Sequence, residues 1–174
     1  MPKIIENVRE QLLTEAKRQV KTGGYANTTI RSVAGACGLG VGTVYNYFSS
    51  KDMLIASFML EDWQCALGKM EAAEGLDSEG LLRAVYDSVS GFIIENKALF
   101  TDAEALRNFN SSHSRYHSVL RGQIAEIVAP VVNKNGENGE FVSEFIAEAM
   151  LTWTVEGKSF DTVYSVIRSI IKNT

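Results

Sequence analysis

The side chains able to do chemistry crowd into one stretch, Thr28–Leu54, which reads TTIRSVAGACGLGVGTVYNYFSSKDML. It offers the guanidinium of Arg31, the hydroxyls of Thr29 and Thr43, the carboxamide of Asn46, the phenols of Tyr45 and Tyr47 and the ammonium of Lys51. Such groups donate hydrogen bonds to anions and polar edges, and none is arranged as an activated nucleophile. Elsewhere the candidates are sparse. His113 and His117 share a helix face at i and i+4, the spacing of two metal ligands, but no Glu follows His113 and no third ligand is evident. There is no phosphate-binding glycine loop, nucleophile elbow or carboxylate pair at a recognisable spacing, and the glycine-rich Gly35–Gly42 follows a helix, not a strand. Cys37 reads as a small buried thiol, and with Cys65 it makes neither a disulfide framework nor a zinc site. The expectation is recognition without catalysis, with no metal and no cofactor.

The elements that must position these groups are helices. Ile5, Val8, Leu12, Ala16 and Val20 form one amphipathic stripe, and Gly23–Gly24 should stop that helix. Thr28 or Thr29 can cap a short second helix with Ile30, Val33 and Ala34 inward, ending at Gly38. A third short helix is expected over Val41–Phe48, and Ser49 or Ser50 caps a fourth from Lys51 to about Leu67. Further helices are expected over Leu81–Asn96, Lys97–Asn110, Ser111 or Ser112 to about Val132, Glu140–Glu156 and Ser159–Lys172, with Asn133–Gly139 as a loop. No alternating run calls for a strand. The fold class is all-α, with about nine helices.

The second and third helices, joined by a tight turn containing Gly38, match a helix-turn-helix. Ala34 with Gly35 or Ala36 must pack closely, while Leu39 and Val44 plug the space between the crossed helices. Val41, Gly42, Thr43, Asn46 and Tyr47 are left on the outer face of the third helix. A short helix with slim residues at its start can enter a DNA major groove deeply.

At these residues the sequence resembles the tetracycline-repressor (TetR) family of bacterial transcription regulators. The resemblance is carried by Gly24-Tyr25, Thr28-Thr29-Ile30-Arg31, Val33-Ala34, Gly38, Gly42-Thr43-Val44-Tyr45-Asn46-Tyr47-Phe48 and Ser50-Lys51-Asp52. It implies that Arg31, Val41, Gly42 and Thr43 face base edges, that Thr29, Tyr45, Tyr47 and Lys51 hold phosphates, and that Asn46 does either. The side-chain chemistry agrees: Arg31 could bond a guanine twice, the Thr43 methyl fits a thymine methyl, and phenols and an ammonium suit phosphate oxygens. One departure matters. Gly40 and Val41 stand where members often carry a polar cap and a polar base contact, which shifts specificity toward Arg31, Thr43, Asn46 and DNA shape. Phe48 is read as core. Lys51 opens a helix, a poor place for a cation unless an anion is near.

The remainder resembles the family in length, helix count and lack of strands, and the family implies an effector-binding and dimerisation domain there. Residues 1–50 are therefore assigned to DNA and residues 51–174 to effector and pairing. Phe58, Trp63, Phe92, Phe109, Tyr116, His117 and Trp153 are the candidates to line a mostly apolar pocket. Broad apolar stripes on the last two helices nominate Phe145, Ile146, Met150, Tyr164, Ile167 and Ile171 for a two-fold dimer interface.

Composition sets the outer limits. The chain has 174 residues, 45% hydrophobic and 22% charged, which suits a soluble globular protein. Neither a signal peptide nor a spanning apolar run is evident, so a cytoplasmic protein off the membrane is expected. The net charge of −4 is uneven: residues 1–51 hold seven Lys/Arg against three Asp/Glu, and the rest ten against eighteen. A basic head can meet a polyanion that an acidic body avoids. The expected function is a homodimeric regulator, a repressor released from a palindromic double-stranded operator by an unidentified small molecule. The alternatives are a ligand-independent architectural DNA binder, and a small-molecule-binding protein with a vestigial helix-turn-helix.

Overall fold

The computed structural model describes residues 7–132 and 138–171, and for residues 108–115 the backbone alone. Among the described residues it is all-α, without strands. The helices are α1 (Val8–Asn27), α2 (Ile30–Ala36), α3 (Val41–Tyr45), α4 (Lys51–Glu71), α5 (Ser78–Glu95), α6 (Lys97–Thr101), α7 (Ala103–Val128), α8 (Gly139–Val155) and α9 (Phe160–Ile171), with a 3-10 turn at Ala129–Val131. Packing divides the chain into two compact units: residues up to Trp63 with Asn96–Ser111, and Gln64–Glu95 with the residues from Ser112 onward.

In the first unit α1 buries Leu12, Leu13, Ala16 and Val20. Gly24, at φ 79 and ψ 170, breaks the helix where the sequence expects a stop, and a separate short helical turn follows to Asn27. That backbone conformation is open to glycine and costly for other residues. Thr29 then caps α2: its side chain accepts from the Ser32 amide while Ser32 Oγ accepts from the Thr29 amide. Ala34 is buried, whereas Gly35 and Ala36 are on the surface, so one small residue rather than two makes the close approach. Gly38 at φ 67 reverses the chain. α3 is shorter than the expected Val41–Phe48, closing at Tyr45. The amides of Asn46, Tyr47 and Phe48 nevertheless bond back to Gly42, Thr43 and Val44 carbonyls, which continues the coil. Val33, Val44, Phe48, Leu54, Ile55 and Phe58 join the α1 stripe in one core, with Leu99 of α6 and Ala105 of α7. Ser50 caps α4 by accepting from the Met53 amide at 3.1 Å.

The expected break at Ser111 or Ser112 does not occur. The interruption lies at Asp102, whose Oδ1 accepts from the amides of Glu104 at 2.9 Å and Ala105 at 3.1 Å and so starts α7, which runs unbroken to Val128. An ionised side chain at the N-cap stabilises the helix start through both hydrogen bonds and the helix dipole, and it outcompetes the serines as a boundary. Pro130 sits in the 3-10 turn just past α7, where its missing amide costs nothing.

The second unit packs α5, α8 and α9 together. Leu82, Val85, Ile124, Ile146, Met150, Val163 and Ile167 are fully buried in it. Arg83 lies over the Phe160 ring, and the Tyr86 hydroxyl donates to the Lys158 carbonyl at 2.7 Å, tying α5 to the turn between α8 and α9.

Candidate nucleic-acid interface

The core beneath α2 and α3 explains why their outer faces carry so much polar and aromatic surface. Val44 has no exposed area and Phe48 is 4% exposed, while Tyr45 and Tyr47 on the same segment are 53% and 49% exposed. With one face buried, helical geometry turns the neighbouring residues out. Asn46 and Gly42 are exposed, Val41 and Thr43 half-exposed, and Arg31 is exposed on α2. Six of the nominated DNA residues therefore lie on one continuous segment, Val41–Tyr47, with Arg31 on α2, Thr29 at its cap and Lys51 at the start of α4. Two exposed phenols at the end of a short helix offer apolar ring and polar hydroxyl together, which suits a large polar partner.

Lys51 is held differently. Its Nζ donates to the Tyr25 carbonyl at 2.8 Å and sits 3.6 Å from the Tyr25 ring centroid. The buried Tyr25 also gives its hydroxyl to Asp52 in a short hydrogen bond. The cation at the start of α4 thus has an intramolecular acceptor: a carbonyl near the end of α1. Thr29 is similarly engaged, since its hydroxyl and amide both meet Ser32 Oγ, and Ser32 Oγ in turn donates to Gln19 Oε1 at 2.6 Å. The Gln19 amide nitrogen donates to Glu15 at 2.7 Å, and Arg18 bonds the same carboxylate twice. These contacts hold the Glu15 carboxyl down at about 2. The chain Arg18–Glu15–Gln19–Ser32–Thr29 links α1 to the start of α2.

Electrostatics here is more local than the charge count suggests. Arg9 pairs with Glu61 at 2.5 Å, Lys17 with Asp62 at 2.6 Å and Arg18 with Glu15 at 2.7 Å. Much of the basic surplus of the first residues therefore neutralises acids of the same unit, and Lys3 lies outside the described residues. Arg31 is the exposed cation beside α3. Burial and the Glu15 charge push the Cys37 thiol up from its ordinary value.

Residues matched to a model described as "Bacterial regulatory proteins, tetR family" are 12–58, the span that builds this surface and its core. The match places a TetR-type DNA-binding segment at residues 12–58. Over 168 residues it is 25% identical to the HTH-type transcriptional regulator UidR of Escherichia coli K12, covering 93% of this chain and 81% of that one. Two solved structures share its fold. A transcriptional regulator from Aquifex aeolicus VF5 superposes with a TM-score of 0.63 at 16% identity, covering 94% of this chain and 97% of its own. A TetR-family regulator from Streptomyces coelicolor gives 0.60 at 18%, covering 95% and 94%. The chain is a DNA-binding transcriptional regulator.

The other nominated sites are dispersed. Phe58 and Trp63 are buried in the first unit; Phe92, Tyr116, His117 and Trp153 belong to the second, where Phe92 is buried and Tyr116 is exposed. His117 Nδ1 lies 3.7 Å from Glu148, and the side chains of Phe109 and His113 fall outside the described residues. No cluster of three residues able to hold a metal occurs among the described residues, and no helix among them is long and apolar enough to cross a membrane. Of the pairing candidates, Ile146, Met150 and Ile167 have no exposed surface and serve their own unit's core. Tyr164 stacks on Phe160 at 5.2 Å, Ile171 is half-exposed, and Phe145 is exposed, as is Phe141 one turn before it. Sequence reasoning passed over Asp52, Asp102, Gln19 and Ser32, which position the interface. The Thr29-x-x-Ser32 box lacks the usual Glu or Gln at its fourth place, and the other partners are distant in sequence.

Proposed function

We propose that this regulator is a homodimeric TetR-family repressor in the cytoplasm, released from a roughly palindromic operator by a small-molecule effector. Residues 1–50, joined by Lys51 at the start of α4, supply the DNA contacts, and residues 51–174 the effector site and the pairing surface. Arg31, Val41, Gly42 and Thr43 face bases; Tyr45, Tyr47, Thr29 and Lys51 meet phosphates; Asn46 reaches either. The observation that carries this reading is the exposure of Arg31, Gly42, Tyr45, Asn46 and Tyr47 over a core in which Val44 and Phe48 are buried. A two-fold dimer would present two α3 helices about 34–36 Å apart to successive major grooves. Effector release is a population shift: a ligand that prefers a conformation unfit for DNA weakens operator binding by its own differential affinity. Phe92, His117 and Trp153 in the second unit are its nominated contacts, with Phe58 and Trp63 in the first.

The test is selection of genomic fragments by the purified protein at two salt concentrations, with Thr43→Ala and Lys51→Ala in parallel. The expected result is an enriched palindrome, a sequence-dependent loss with Thr43→Ala, and a uniform loss with a salt slope shallower by about one with Lys51→Ala. Because Lys51 also holds Tyr25, a lower melting temperature with an unchanged salt slope would assign it to the scaffold and remove it from the phosphate contacts. A folded wild-type protein that selects no fragment would favour the vestigial helix-turn-helix, and the second unit would become the place to seek a ligand.

A further inference from the structure

Tyr25 and its neighbours form a node. The Gly24 kink interrupts the hydrogen-bond ladder of α1, so the amides just after it need acceptors from elsewhere. Those of Tyr25 and Ala26 turn to the carboxylate of Asp102. A Cβ built on Gly24 would stand 3.7 Å from Asp102 Oδ2, which places that oxygen against the kink. The other oxygen, Oδ1, is the one that accepts from Glu104 and Ala105 and opens α7. A single carboxylate thus serves both the start of α7 and the turn after the kink. On its other side Tyr25 is gripped by α4, through Lys51 on its carbonyl and ring and Asp52 on its hydroxyl. Four residues later Thr29 caps α2. Any change in the direction of the Tyr25–Asn27 turn is passed directly to the helix carrying Arg31 and to the turn before α3.

Resting on the DNA-regulator reading above, we propose that Asp102 is a positioning residue for operator recognition. It makes no DNA contact. It fixes the bend through which α1 hands over to α2, and so sets where the base-reading side chains stand.

The experiment separates this role from ordinary helix capping. Asn and Ser are as good as Asp at an N-cap, but each has only one oxygen for the work of two. Asp102→Asn and Asp102→Ser should therefore keep α7 started while freeing Tyr25 and Ala26. Residue-resolved hydrogen exchange on the intact protein should show faster exchange at those two amides in both variants. Affinity for the selected operator should fall about tenfold, the scale of a lost charge-assisted hydrogen bond. Affinity for non-operator DNA of equal length should be nearly unchanged, because the phosphate-binding groups themselves are intact. Unchanged exchange at Tyr25 and Ala26, unchanged operator affinity, or an equal loss on operator and non-operator DNA would each overturn the proposal. A wild-type protein that selects no operator would overturn the regulator reading, and this role with it; an operator bound equally by wild type and both variants would overturn this role alone.

Discussion

A methyl group built on Gly42 would meet nothing of the protein within 4 Å, although the residue lies inside a helix of only five residues. Glycine there costs the helix about 1 kcal/mol relative to alanine, with no internal packing to compensate. Gly42→Ala should therefore raise the stability of the protein by about 0.5–1 kcal/mol in chemical denaturation while weakening operator binding. Stability and affinity moving in opposite directions would place the DNA against that backbone; both rising, or affinity unchanged, would leave Gly42 without a role in recognition. Arg31 makes the complementary case. It is exposed and away from the core, so Arg31→Ala should leave stability within about 0.5 kcal/mol. It should cost about 1–3 kcal/mol of operator affinity, measured as relaxed selection at one base-pair position per half-site. The outward placement of Arg31, Gly42, Tyr45, Asn46 and Tyr47 was legible in the sequence because it depends on local helical periodicity and a glycine turn. The Thr29 cap was legible too, but the engagement of Lys51 was not, since a cation at a helix start invites an external anion until the fold brings the Tyr25 carbonyl beneath it.

Elements were legible to the extent that their boundaries are set by their own residues. The Gly38 turn and the Ser50 cap fall where the sequence puts them, but the α6–α7 boundary does not, because Asp102 is stabilised there by Gly24 and its neighbours, far away in the chain. The same reasoning predicts how the α1–α2 junction responds to acid. Glu15 titrates at about 2 in the folded protein against an ordinary 4.5, with Arg18 the first cause and Gln19 the second. A depressed carboxyl stabilises the fold fully above its unfolded value, and that contribution is lost as the pH falls toward the folded value. Asp102 is also lowered, first by the Ala105 amide, and acts in the same direction. Melting temperature should therefore decline between about pH 4.5 and 2, and Glu15→Gln should flatten part of that decline while leaving the plateau above pH 5 slightly lower. A variant with the wild-type acid profile would mean that the Glu15 contacts add nothing to folding. Ser32→Ala tests the other end of the same chain: losing both the cap reciprocity and the Gln19 bond should cost about 0.5–2 kcal/mol in denaturant unfolding.

For the molecule as a whole, the basic head on an acidic body proved a weaker signal than the helix-turn-helix beneath it, since Arg9, Lys17 and Arg18 answer carboxylates of their own unit. Apolar stripes misled in the same way: periodicity shows that a helix face is apolar, not whether its own chain or a second copy covers it. Burial separates the two cases. Ile146 is fully enclosed, while Phe145 beside it on α8 is 42% exposed and Phe141 is 69% exposed. If α8 pairs two copies, Phe145→Ser should leave protomer unfolding nearly unchanged and shift sedimentation toward monomer at micromolar concentration. Operator affinity should fall with it, because an unlinked half-site binder loses the effective concentration that the second head supplies. Ile146→Val is the control: it should cost about 0.5–1.5 kcal/mol of stability with no change in oligomeric state. The reverse pattern, dissociation with Ile146→Val and none with Phe145→Ser, would mean that α8 turns its exposed aromatic face to something other than a second copy, and that whatever couples two reading heads lies on another helix.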